Sequence, residues 1–128
     1  MAAPDTEETR AAIVDALRGA GASFAFLHGS RAKGTARAGS DLDVAAWWAG
    51  DPPASFDVLL PPNVDLLVLN DAPLELAGRV SLEGVILYDD DPAARVRWLA
   101  QTRKIYADER PRIDRSHREF AESLRRGR

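Results

Sequence analysis

The sequence predicts an α/β (α+β) fold, a small mixed sheet of about four strands flanked by helices. Two observations carry this. Four short apolar stretches, SFAFLH (Ser23–His28), DLDVAAWW (Asp41–Trp48), VDLLVLN (Val64–Asn70) and GVILYD (Gly84–Asp89), are set apart by Gly, Pro, Asn and Asp. That is the punctuation of strands. Between them lie only turns and short helical patterns, and the long helical pattern comes after the last strand. This is not the regular alternation of a doubly wound array.

Taken in order, Thr6–Leu17 reads as a first helix, with Ile13, Val14 and Leu17 on one side. Thr6 is its N-cap, with Thr9 standing where a capping box prefers Glu or Gln. Gly19 and Gly21 end it. After the first strand, Gly29 and Ser30 break the chain, and a short helix is expected over Arg31–Gly34. In the second strand, alternation puts Asp41 and Asp43 on one face, with Leu42 and Val44 on the other. Phe56–Leu60 reads as a short helix stopped by Pro61-Pro62. The third strand is nearly all apolar, which predicts a place in the sheet interior. Leu74–Val80 is another short helix, and Pro92 sits at the N1 position of the last one. That helix runs over Ala93–Asp108, is expected to break or kink at Pro111, and resumes over Arg112–Arg125.

At 128 residues, the chain is expected to be a single domain, with residues 11–90 as the catalytic sheet and helices and 91–128 as a C-terminal helical section. It has no cysteine, which removes disulfides and thiolate metal sites. A net charge of -3 argues against a direct nucleic-acid binder. No apolar run approaches the roughly 18 residues of a membrane span. The acidic start, MAAPDTEETR, does not read as a secretory signal, so a cytoplasmic location is expected.

The chemistry concentrates in HGSRAKGTARAGSDLDVA, His28–Ala45. Asp41 and Asp43 project to the same side of a strand, roughly 7 Å apart at Cα. Two bare carboxylates that close repel, at a cost of order 1 kcal/mol or more. A hard divalent cation reverses the sign, because Mg²⁺ favours carboxylates and substrate phosphates as ligands. Upstream, Gly29 and Ser30 follow a strand, where backbone N–H groups and a small residue let a phosphate approach. Arg31, Lys33 and Arg37 are available to neutralise its charge. The loop is neither a Walker A motif nor a dinucleotide fingerprint. Asp65 is a third carboxylate, in a strand otherwise apolar, and a charge there calls for a reason. If the third strand lies beside the second, Asp65 joins the pair as a metal ligand or as a general base.

Gly29-Ser30, ten residues, then Asp41-Leu42-Asp43, with Asp65 as the third carboxylate, resembles the signature of the polymerase β-like nucleotidyltransferase superfamily, and in particular its minimal nucleotidyltransferases. The resemblance runs from about Ala11 to Leu124. It implies that fold, and transfer of a nucleoside monophosphate from ATP to a hydroxyl with two Mg²⁺ ions. Asp41, Asp43 and Asp65 would be catalytic and hold the metal, and Gly29, Ser30, Arg31 and Lys33 would bind the nucleotide. It further implies an antitoxin that adds AMP to a tyrosine of a HEPN toxin. The alternatives are an antitoxin acting mainly by binding, or an enzyme modifying a small molecule, for which the chain is short of an acceptor domain.

Blander roles compete elsewhere. A DxD alone is as well explained by a polar strand end. His28 reads as a packed or hydrogen-bonded histidine. Trp47 and Trp48 must face opposite ways, one of them into the core, and Tyr88 and Tyr106 read as packing residues. The acidic run Asp89–Asp91 reads as a solvated face. Ile113, His117, Phe120 and Leu124 form one helix stripe, suited either to packing on the chain's own sheet or to a homo- or hetero-oligomeric contact.

Overall fold

The computed structural model describes residues 5–29 and 42–126. The expected helix at Arg31–Gly34 lies outside them. Helix α1 spans Glu7–Gly19, one residue later at its start than the pattern suggests, because Thr6 is the cap. The Thr9 N–H donates to Thr6 Oγ1 at 3.1 Å, and the Thr6 hydroxyl donates to Thr9 Oγ1 at 3.0 Å. Thr9 thereby stands in for the expected Glu or Gln on the side-chain side of the motif. Gly21, with φ of 94°, turns the chain out of the helix.

Strands β1 (Phe24–His28), β2 (Leu42–Trp47), β3 (Val64–Val68) and β4 (Val85–Asp89) form one sheet in the order β3-β2-β1-β4. The pairs β1–β2 and β1–β4 are antiparallel, and β2–β3 is parallel. The sheet is mixed and four-stranded, as the sequence predicts. One expectation fails: β3 is an edge strand, paired with β2 alone among the described residues. Its apolar character serves two faces rather than two neighbours. Val64 and Leu66 pack into one core and Leu67 into the other.

The first core lies between α1 and the sheet, where Ile13 and Leu17 meet Leu27, Leu42 and Val44. The second lies under the remaining helices, α2 (Leu74–Glu83) and α3 (Pro92–Arg125), where Val80 and Ala94 meet Phe24, Phe26 and Ala45. Trp48 is the core tryptophan, its Nε1–H donating to Ala20 O at 3.0 Å. Trp47, half-buried, stacks on Phe24 at 5.2 Å on the other face. The Tyr88 hydroxyl donates to Ala22 O at 2.7 Å, and burial pushes it up to about 12. Between β2 and β3 the chain makes only a 3-10 turn at Ser55–Asp57, shorter than the helix expected over Phe56–Leu60. Phe56 and Leu59 stay exposed there, so no apolar face drives a longer helix.

Helix α3 departs most from expectation. It is one 34-residue helix that passes through Pro111 without a break. Proline costs an interior helix about 3 kcal/mol, because it lacks an N–H and crowds the carbonyl four residues back. Here that carbonyl belongs to Ala107, an exposed residue, so water takes the place of the lost bond. The acidic run before α3 is no free solvated face. Asp89 accepts from Arg95 Nε at 2.6 Å, Asp90 accepts a bidentate pair from Arg18 at 2.8 Å, and Asp91 caps α3 by accepting from the Ala94 N–H at 3.1 Å. Among the described residues, no helix is long and apolar enough to cross a membrane.

Helices α2 and α3 close on one another through a glycine. A Cβ at Gly78 would overlap the ring of buried Tyr106. Gly78→Ala therefore tests packing against propensity. Alanine favours an isolated helix by about 1 kcal/mol, whereas overpacking costs about 1–3 kcal/mol. We expect urea denaturation to show a net loss of stability; a gain would mean that Tyr106 is free to move aside.

Candidate active site

The strand pairing builds one cluster at one end of the sheet. His28 is the last residue of β1, and its partner across the antiparallel pair is Asp43. Asp43 is in turn registered with Asp65 across the parallel pair. Neighbouring strands lie about 4.8 Å apart, so three ionisable residues stand abreast over roughly 10 Å. They also share a face. Leu42, Val44 and Ala46 of β2 point into the α1 core, which leaves Asp43 with Ala45 and Trp47 on the α2–α3 side. The same alternation places Asp65 with Leu67, and His28 with Phe24 and Phe26.

Gly29 follows directly and is required twice over. Its φ of 75° is in the left-handed region, and a Cβ there would sit 2.5 Å from Asp43 Oδ2. The backbone thus passes against the Asp43 carboxylate with no room for a side chain. Asp43 is half-buried and Asp65 exposed, so the carboxylate row opens to solvent on the β3 side. Ser30, Arg31, Lys33 and Asp41 lie outside the described residues.

His28 is packed and hydrogen-bonded, as its sequence setting suggests, and the register adds Asp43 as its cross-strand neighbour. Its ring is hydrogen-bonded to the backbone of Val44, yet Nε2 is buried without a partner among the described residues. Burial lowers its pKa below the ordinary histidine range, opposed by Asp43 and by the Val44 bond. The sequence carried no direct signal of this, since the contact arises from the β1–β2 register.

Among the described residues, no three His, Cys, Asp or Glu side chains gather as a ready metal site. The donor chemistry nevertheless suits a hard cation. Two carboxylates in register beside Gly29 offer the oxygen donors that such a cation favours. Asp41 would extend the set.

With this geometry in view, the comparisons are specific. Residues 13–93 match the family described as polymerase beta, nucleotidyltransferase. No curated protein matches. Solved structures do. A toxin–antitoxin with AMP-PNP aligns at TM-score 0.61 and 23% identity, covering 84% of this chain and 98% of that one. A toxin–antitoxin containing MntA, in a form with two aspartates two positions apart changed to glutamate, aligns at TM-score 0.59 and 20% identity over 84% and 98%. The complex of a tri-AMPylated Shewanella oneidensis HEPN toxin with its MNT antitoxin aligns at TM-score 0.56 and 20% identity over 87% and 98%. At these identities the likeness is one of fold.

Two measurements probe this cluster. Gly29→Ala is expected to lose about 1–2 kcal/mol from the left-handed backbone alone, with a further loss from displacing Asp43; unchanged urea stability would deny the close approach. For His28, the folded pKa lies below the unfolded value near 6.5. The unfolded chain therefore binds more protons in the window below that value. Stability conferred by neutral His28 is complete above the unfolded pKa and is lost as pH falls through the window. His28→Gln should flatten the stability profile between about pH 5 and 7, and an unaltered slope would place its origin elsewhere.

Proposed function

Because this chain belongs to the polymerase β nucleotidyltransferase family, we propose that it transfers AMP from ATP to a tyrosine hydroxyl of a partner HEPN toxin and acts as that toxin's antitoxin. The observation that carries the reading is the registered pair Asp43 and Asp65 beside Gly29. The resemblance to toxin–antitoxin structures, one holding an ATP analogue and one an AMPylated toxin, supports the choice of nucleotide and acceptor.

In this reading Asp41, Asp43 and Asp65 hold Mg²⁺, two ions if the set is complete. Bound there, the metal neutralises the triphosphate and polarises the phosphorus under attack. Gly29 brings backbone with no side chain against Asp43, where the triphosphate would lie, and Ser30 would add its hydroxyl to the phosphate contacts. Arg31 and Lys33 offset its outer charge. Asp65, the exposed member of the row, is placed to meet the incoming hydroxyl and take its proton. The hydroxyl oxygen forms a bond to the α-phosphorus, the α–β phosphoanhydride bond breaks, and pyrophosphate leaves. The acceptor keeps AMP as a phosphodiester. Half-buried Asp43 lies against Gly29 on the sheet side of the row.

Neutralisation by binding alone is a second reading. Phe120 and Leu124, 67% and 57% exposed, continue the C-terminal stripe past the body of the protein and favour some contact there.

The double change Asp41→Asn, Asp43→Asn separates the two. Incubated with radiolabelled ATP, Mg²⁺ and the co-expressed partner, the variant should lose more than ~100-fold of its AMP transfer, beyond the loss typical of a metal's outer shell. Its circular dichroism should be unchanged. Normal labelling would refute the mechanism, and lost labelling with full neutralisation would favour binding.

A further inference from the structure

Helix α3 is far longer than the sheet it covers. Its 34 residues span about 50 Å, against about 17 Å for a five-residue strand. The direction of the excess can be read from contacts. α3 starts beside the end of β4, where Arg95 meets Asp89, and Trp98 lies 6.1 Å from Phe24 and 5.7 Å from Phe26. Arg103 then reaches the end of α2, its Nε and a terminal nitrogen donating to Ser81 O at 2.8 and 2.6 Å. That end of α2 leads into β4 at Val85, the partner of Leu27, next to His28. Beyond Arg103 the helix runs along α2 toward its start, with Tyr106 against Gly78 and His117 Nε2 3.2 Å from Glu75 Oε1.

Along this stretch of the helix lies a groove of about 560 Å³. Leu82, Tyr106 and Pro111 are among the residues that line it, with Leu82 half exposed. Four arginines and one aspartate also line it, a net of three positive charges on a chain whose net charge is -3. The arginines are not equivalent. Arg103 is committed to Ser81, and Arg110 lies over the Tyr106 ring at 5.6 Å and 4.0 Å from Asp114. Arg115 and Arg118 have no ion pair among the described residues.

We infer that this groove docks an acidic, amphipathic polypeptide segment of a partner protein. The inference rests on the reading above for the identity of the acceptor, but not for the groove itself. Charge selects the occupant. Two unpaired guanidinium groups flanking an apolar floor fit carboxylates spaced around apolar anchors. A second copy would bring the same arginines face to face. The apolar floor and Asp114 disfavour an RNA backbone, which recruits uninterrupted basic surface.

The test uses the full chain and two fluorescent synthetic helices with one apolar stripe, their polar positions filled with Glu in one and Lys in the other. No ATP is present, so binding is read independently of transfer. The Glu helix should bind at least about tenfold more tightly than the Lys helix, and Arg115→Glu with Arg118→Glu should weaken it at least about tenfold. Equal binding of the two helices, no binding of the Glu helix, its displacement by single-stranded RNA, or dimerisation that the double variant abolishes would each overturn the proposal. With the partner and ATP, the variant should raise KM at least about tenfold and leave kcat within about twofold. Transfer at an unchanged KM would refute the groove, whereas no transfer even by the wild type would refute the proposed function and leave the peptide result standing.

Discussion

Two carboxylates in register across a parallel strand pair repel one another, and the register that imposes this is held by the core. At about 5 Å the repulsion is roughly 1 kcal/mol in water and about 3 kcal/mol at a surface dielectric near 20. Slipping β2 by one residue would relieve it, but would also turn Leu42, Val44 and Ala46, all buried, out of the α1 core. Burying a single such side chain stabilises by about 1.5–3 kcal/mol, so the hydrophobic term wins. The carboxylates remain opposed across the pair.

On its other side the row meets β1. Burial lowers the pKa of His28, while Asp43 across the pair opposes that shift. Gly29 brings backbone instead of a side chain against Asp43.

Much of this was legible in the sequence because it depends on local pattern. The four strands, the cap at Thr6 and the opposed tryptophans follow from alternation and turn chemistry, whereas the cap at Asp91 lay hidden in an acidic run that read as a solvated face. Strand order was less legible. The apolar run of β3 suggested an interior strand, since composition reports burial of faces and not the number of neighbours. For the candidate site, the pairing of Asp65 with Asp43 was foreseen as a condition on strand adjacency, and the parallel β2–β3 pair meets it. The contact of His28 with Asp43 was not foreseeable, because it comes from the register of a hairpin-like pair whose connection is long. Pro111 misled for a different reason. Its cost is fixed by the fate of one carbonyl, and only the exposure of Ala107 shows that water can satisfy it.

The acidic run and the long helix together link the two ends of the molecule. Asp89, Asp90 and Asp91 bind Arg95, Arg18 and the first turn of α3, so the helix is anchored to β4 and α1 at its start. Further along, Gly78 admits the Tyr106 ring and Arg103 caps α2 through Ser81. These contacts set the direction of α3 before it leaves the sheet. A helix is stiff over several turns, so an anchored start aims its free half at one place. That half carries Arg115 and Arg118, which have no ion pair among the described residues, and exposed Phe120 and Leu124. Exposed apolar side chains on a lone helix do not stabilise it, and set beside charge they are the kind of surface that contacts between chains use.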